Sequence, residues 1–170
     1  LHTSFKPYAC LHGIHPSIDA AREVAAGVAS DEVAAIRVFV APGVKKVACF
    51  EQPATSHEAK FSVHYCVAAA LVGAQLGAGG FSEPSIDEAN IRRLISLTEV
   101  LSEDGRKMVD SAIEVDLREG TTLRGETDLS RGHPGNPLSV EELERKFLDL
   151  AEPLRGPAAK ELLSVIQQYL

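Results

Sequence analysis

The stretch Glu58–Leu71, EAKFSVHYCVAAAL, constrains this chain more than any other. It reads as an alanine-rich, otherwise apolar helix from about Glu58 to Gln75. Phe61, Tyr65, Ala68, Ala69 and Val72 form its apolar stripe, and Gly77, Gly79 and Gly80 end it. His64 and Tyr65 fall in its first two turns. Tyr65 is expected to point toward the interior or a cleft, where its hydroxyl needs a partner. On residue chemistry alone, a core tyrosine bonded to a backbone carbonyl is the favoured reading. Lys60 and His64, four apart on one face, read as surface residues.

A second segment, Phe5–Ala21, is denser in chemistry. Lys6, Tyr8, Cys10, His12 and His15 fall within ten residues, and a helix follows. Pro7 keeps Lys6 extended. Pro16 suits a first helical position, which makes His15 the expected N-cap, with Ile18, Ala21, Ala25 and Val28 at helical spacing beyond it. A helix N-terminus offers unpaired N–H groups and a partial positive charge, and anions bind there. Lys6 adds a point charge for a carboxylate. His12 and His15 add groups that exchange protons near neutral pH, and Tyr8 adds a hydroxyl. Clustering of this kind points to a carboxylate-handling site. The plainer alternative is a histidine cap beside a solvated lysine. Cys10, His12 and His15 have the look of metal ligands but lack a matching second pair, so no metal is expected. Cys10 as a nucleophile would need a base, and His12 is near it only in sequence.

The rest of the chain alternates irregularly. Val33–Val40 has strand alternation, Pro42-Gly43 reads as a turn, and a short strand is expected over Val44–Phe50. Ser85 and Glu88 have capping-box spacing ahead of a helix to about Ser96. Ala112–Leu117 and Thr121–Thr127 read as a hairpin joined through Arg118-Glu119-Gly120. Asp128–Leu138 is loop. Ser139 and Glu142 form a second capping box, opening a helix to about Leu150 that Pro153 should stop. A last helix is expected over Ala158–Tyr169. The fold class is α+β.

Composition narrows the partners. The formal net charge of −7 and the absence of a basic run longer than Lys45-Lys46 exclude a nucleic-acid role. Cys10, Cys49 and Cys66 sit in unlike contexts, which argues against a disulfide framework and for a reducing, cytoplasmic setting. No apolar stretch is long enough for a membrane span.

Three separated motifs carry a resemblance. Lys6-Pro7-Tyr8-Ala9-Cys10 with His15 and Ile18-Asp19-Ala20, then Glu58-Ala59-Lys60-Phe61-Ser62 with Tyr65, then Asn136-Pro137-Leu138-Ser139 with Glu142, Lys146 and Phe147 resemble the C-terminal part of the MmgE/PrpD family. That family includes 2-methylcitrate dehydratase, cis-aconitate decarboxylase and iminodisuccinate epimerase. The resemblance implies a small α+β lid-type domain over residues 1–133 and a helical C-terminal segment over 134–170. It implies a cofactor-independent lyase acting on small di- or tricarboxylates by moving a proton next to a carboxylate, with loss of water or carbon dioxide. An epimerase of the same family, or a non-catalytic carboxylate-binding or protein-interaction module, is the alternative. It also implies Lys6 and Tyr65 as catalytic residues, with His15 on a histidine common to the motif. His12 and Tyr8 join them as substrate-binding candidates. A helical domain that would precede Leu1 is expected to supply the base and complete a homodimer. The tail should then expose apolar side chains such as Leu162, Ile166 and Tyr169.

Overall fold

The computed structural model describes residues 3–168. Four strands, β1 (Val33–Val40), β2 (Thr98–Ser102), β3 (Ser111–Leu117) and β4 (Thr122–Thr127), form one sheet in the order β2-β1-β3-β4. β1 pairs with β2 in parallel and with β3 antiparallel, and β3 pairs with β4 antiparallel. A parallel neighbour requires a crossover, and helices between residues 41 and 97 supply it. The fold is α+β, as expected.

Alternation decides which face of the sheet is covered. Ile36, Val38 and Val40 of β1 are buried, as are Ile113, Val115 and Leu117 of β3. Three helices cover that face. α1 (His15–Ala25) lies on β3 and β4, α4 (Val63–Leu71) packs against α1 and β2, and α6 (Ala89–Ser96) packs on α4. Every residue of α4 is buried. α1 crosses β4 at backbone contact: a Cβ on Gly125 would stand 2.4 Å from the Ala20 carbonyl oxygen. The opposite face carries paired charges. Arg37 bonds Glu114 at 3.0 Å and Asp116 at 2.6 Å, and Arg124 reaches Glu114 at 3.3 Å.

The C-terminal helices are built differently. α7 (Val140–Arg155) and α8 (Ala158–Gln167) pack on each other, but α7 buries no residue and α8 only Ala159. Leu154, Leu162 and Ile166 are exposed. Tyr169 lies outside the described residues.

Several local expectations are corrected. Val44–Phe50 is not a strand but mostly α2 (Pro42–Val47), with Pro42 in the first turn. Val44 in the helix and its C-cap Ala48, four apart, are buried, a helical spacing. The helix expected over 58–75 is broken into α3 (Ser56–Ala59) and α4. Ser62 caps the second piece, its Oγ accepting from the Tyr65 N–H at 3.0 Å, since a serine hydroxyl competes with the helical ladder. The helix of 85–96 is likewise split into α5 (Glu83–Ile86) and α6. Glu88 is itself the N-cap, accepting from Asn90 and Ile91 N–H. Strand β2 was hidden because Val100 is its one buried residue. Pro153 does not stop α7, which ends at Gly156 with φ 54°. In that exposed helix the proline costs one ladder bond and the chain continues for part of a turn.

Candidate functional site

The chemistry of Lys6–His15 is placed by four anchors. The Phe5 N–H donates to the Gly132 carbonyl at 2.9 Å. Gly132 has φ 88°, and a Cβ there would stand 1.9 Å from the Phe5 carbonyl oxygen, so only glycine permits this approach. The Ala9 N–H donates to Leu76 O and the Leu11 N–H to Lys60 O, each at 2.9 Å. The Lys146 ammonium donates to Lys6 O at 2.7 Å. The loop after β4, the loop after α4 and helix α7 therefore converge on one short extended segment.

Between them lies a cleft of about 440 Å³. Lys6, Arg22, Arg131, Arg145 and Lys146 line it, against Glu142 and Asp149. Arg131 is spoken for. It donates Nε–H to Glu142 at 3.0 Å and Nη1–H to Asn136 at 3.0 Å. The guanidinium holds the Glu142 carboxyl below its usual range. Glu142 also closes the expected capping box with Ser139. Among the described residues, Lys6, Arg22, Arg145 and Lys146 form no ion pair. A positively lined cleft in a chain of net charge −7 favours anions locally.

Tyr8 forms part of the wall. Its hydroxyl donates to Asp19 Oδ1 at 2.5 Å, and the Arg131 N–H donates to Asp19 Oδ2 at 2.7 Å. The Arg22 guanidinium lies 4.9 Å from the Tyr8 ring centroid. Burial, with Asp19 next, pushes the phenol well above its ordinary pKa, so it stays protonated.

His15 is fully buried and is not the N-cap. Ile14 holds that position after a 3₁₀ turn over His12–Ile14. Its ring lies 5.1 Å edge-on from Tyr8 and 5.0 Å from His12. Among the described residues, neither nitrogen of His15 has a hydrogen-bond partner, nor has His12 Nε2. Burial, then the charge of His12 and Lys6, depresses His15 to about 3, so the ring is neutral. Burial and Lys6 also lower His12.

Tyr65 stands apart from this group. It is buried in α4, packs against Phe81 at 5.6 Å, and donates its hydroxyl to the Gly80 carbonyl. Burial pushes its phenol up to about 12. Gly80 belongs to the turn whose first residues, Gly77 and Ala78, line the cleft. His64, read as a surface residue, is buried, with Nδ1 unpartnered among the described residues. It lies on a helix enclosed on all sides, which a stripe analysis does not reveal. Cys10 is buried beside Cys66, whose thiol burial pushes well up. Among the described residues no three His, Cys, Asp or Glu side chains gather as a metal site requires. The structure thus brings Lys6, Tyr8, His12 and His15 together and leaves Tyr65 one turn of chain away. Sequence reasoning missed Arg22, Arg131 and Arg145, and saw Asp19 only within a motif. The readable signal was His15, Asp19 and Arg22, spaced i, i+4, i+7 on one helix face.

The sequence model of the MmgE/PrpD C-terminal domain matches residues 8–170. The chain belongs to the MmgE/PrpD family. Tyr8, His12, His15 and Tyr65 fall within the matched residues, and Lys6 lies just before them. Cis-aconitate decarboxylase of Homo sapiens is similar, with 28% identity over 120 residues, covering 68% of this chain and 25% of the relative. The enzyme of the same name from Mus musculus is 26% identical over 121 residues, with the same coverage. The chain thus spans 25% of the length of the curated relatives it matches. Among the described residues no helix is long and apolar enough to cross a membrane.

Proposed function

We propose that this chain supplies the carboxylate-holding half of the active site of a lyase acting on a small di- or tricarboxylate. One observation supports this most: the cleft around Lys6, cationic within an acidic chain. Similarity to relatives named as cis-aconitate decarboxylases supports this reading. In this reading Lys6 binds a substrate carboxylate. A base from a helical domain preceding Leu1 removes a proton next to it, or carbon dioxide departs. The resulting enolate-like charge is stabilised by the ammonium of Lys6. Neutral His15 and His12 back the wall formed by Tyr8 and are suited to hydrogen bonding rather than to charge. Tyr65 positions the turn around Gly80, and direct contact with substrate requires its release from that carbonyl. The exposed apolar stripe of Leu154, Leu162 and Ile166 is where the helical domain, and through it a homodimer, would pack. The reaction needs no metal or organic cofactor in this account.

Replacing Lys6 tests the reading. In the native protein, Lys6→Ala should lower turnover of cis-aconitate by on the order of 10²-fold or more. Lys6→Arg should not restore it, because the guanidinium differs in size and shape. Full activity in Lys6→Ala would remove the catalytic role of this lysine.

A further inference from the structure

The residue that organises the cleft is absent from its lining. Asp19 lies one turn beyond His15 on α1, behind Tyr8. Its two oxygens have separate duties: Oδ1 accepts from the Tyr8 hydroxyl and Oδ2 from the backbone N–H of Arg131. One carboxylate thereby ties α1 to both the segment that carries Lys6 and the loop that carries Arg131, across 112 positions of sequence. Arg22, one turn further on, covers the Tyr8 ring at 4.9 Å, while the His15 ring stands T-shaped to it with centroids 5.1 Å apart. Tyr8 is thus gripped at its ring and its hydroxyl by three residues of one helix face.

The grip has a chemical consequence. Tyr8 has one phenolic proton, and it is committed to Asp19. Toward the cleft the phenol oxygen offers lone pairs only. Tyr8 in this arrangement is an acceptor and a wall, not a donor to a substrate carboxylate. The donors left for an anion are the cations around it, and their placement depends on the Asp19 clasp.

We infer that Asp19 is a positioning residue, whose carboxylate sets the segment of Lys6 and the loop of Arg131 at the cleft by holding Tyr8 and the Arg131 backbone at once. The inference rests on the cleft being the substrate site. A hydrogen bond to a charged group, once lost, is worth roughly a ten-fold change or more.

Asp19→Asn, Tyr8→Phe and the double variant in the native protein test it, with cis-aconitate as substrate and citrate as a binding probe. Asparagine keeps the shape and one acceptor but cannot serve both donors as the carboxylate does. Asp19→Asn should raise the KM for cis-aconitate and the Kd for citrate about ten-fold and lower kcat as well, because it displaces the ammonium that stabilises the transition state. A purely structural role would instead reduce the active fraction, lowering kcat at unchanged KM, and that result would overturn the inference. Tyr8→Phe should raise KM in the same direction. The double variant should be no worse than Asp19→Asn alone, since both remove the same bond, so independent losses that multiply would also overturn it. Unchanged KM and Kd in Asp19→Asn, with Lys6→Ala inactive, would reject the clasp and keep the function. Neither turnover nor citrate binding by the unaltered protein, or full activity of both variants, would remove the function and the inference together.

Discussion

The sheet-and-helix body and the α7–α8 pair are held by different forces. In the body, α4 buries every residue, and β1 and β3 bury one full face. α7 buries none. It is attached through polar bonds: Glu142 to Arg131, and Lys146 to Lys6 O. Apolar burial is strong and undirected, whereas a few polar bonds are weak but exact in geometry. The cleft lies along the seam between the two regions, where positions are set by the second kind of force. Charge divides the same way. On the outer sheet face Arg37 and Arg124 are paired with carboxylates, while among the described residues Lys6 and Arg145 in the cleft are not.

The sharpest break of this comparison is in the body. Ile36→Ala, at a fully buried site on β1, should cost about 2–5 kcal/mol in denaturant unfolding. A second effect belongs to His15. Its pKa is depressed to about 3 from 6.5 by burial. Between those values the unfolded chain binds a proton that the folded chain does not, so stability should fall as pH drops from about 6.5 toward 3. His15→Phe keeps a ring and removes the titration, and its Tm should depend less on pH across that window. An equally steep profile in the variant would show that the fall arises elsewhere. On the tail the changes should be small. Ser139→Ala removes the α7 cap and should cost about 1 kcal/mol. Leu154→Ala, at an exposed site, should stay within about 0.5 kcal/mol in this chain. A cost for Leu154→Ala as large as that for Ile36→Ala would erase the distinction between the two regions.

The same contrast governs what could be read from the sequence. β1, the β3–β4 hairpin and the Ser139–Glu142 box are local patterns, and they appear in the structure where their residues predict them. β2 escaped because its strand periodicity is confined to a single buried valine. The break at Ser62 escaped because one serine overrode a continuous helical pattern. At the site, the cluster from Lys6 to His15 was legible because it is contiguous. The Asp19 clasp on Tyr8 and Arg131 was not, since it joins residues brought together only by the packing of α1 against the loop after β4. The hydroxyl of Tyr65 met a backbone carbonyl, the partner that residue chemistry alone favoured.

In the proposed function, the unpaired cations of the cleft form the anion site of this chain. Backbone amide shift mapping during a citrate titration at low ionic strength tests it most directly. The expected changes concentrate at Lys6, Arg22, Arg145 and Lys146 and weaken as added salt screens the site. Changes centred instead on the paired arginines Arg37 and Arg124 of the outer sheet face, or none at the cleft, would contradict it.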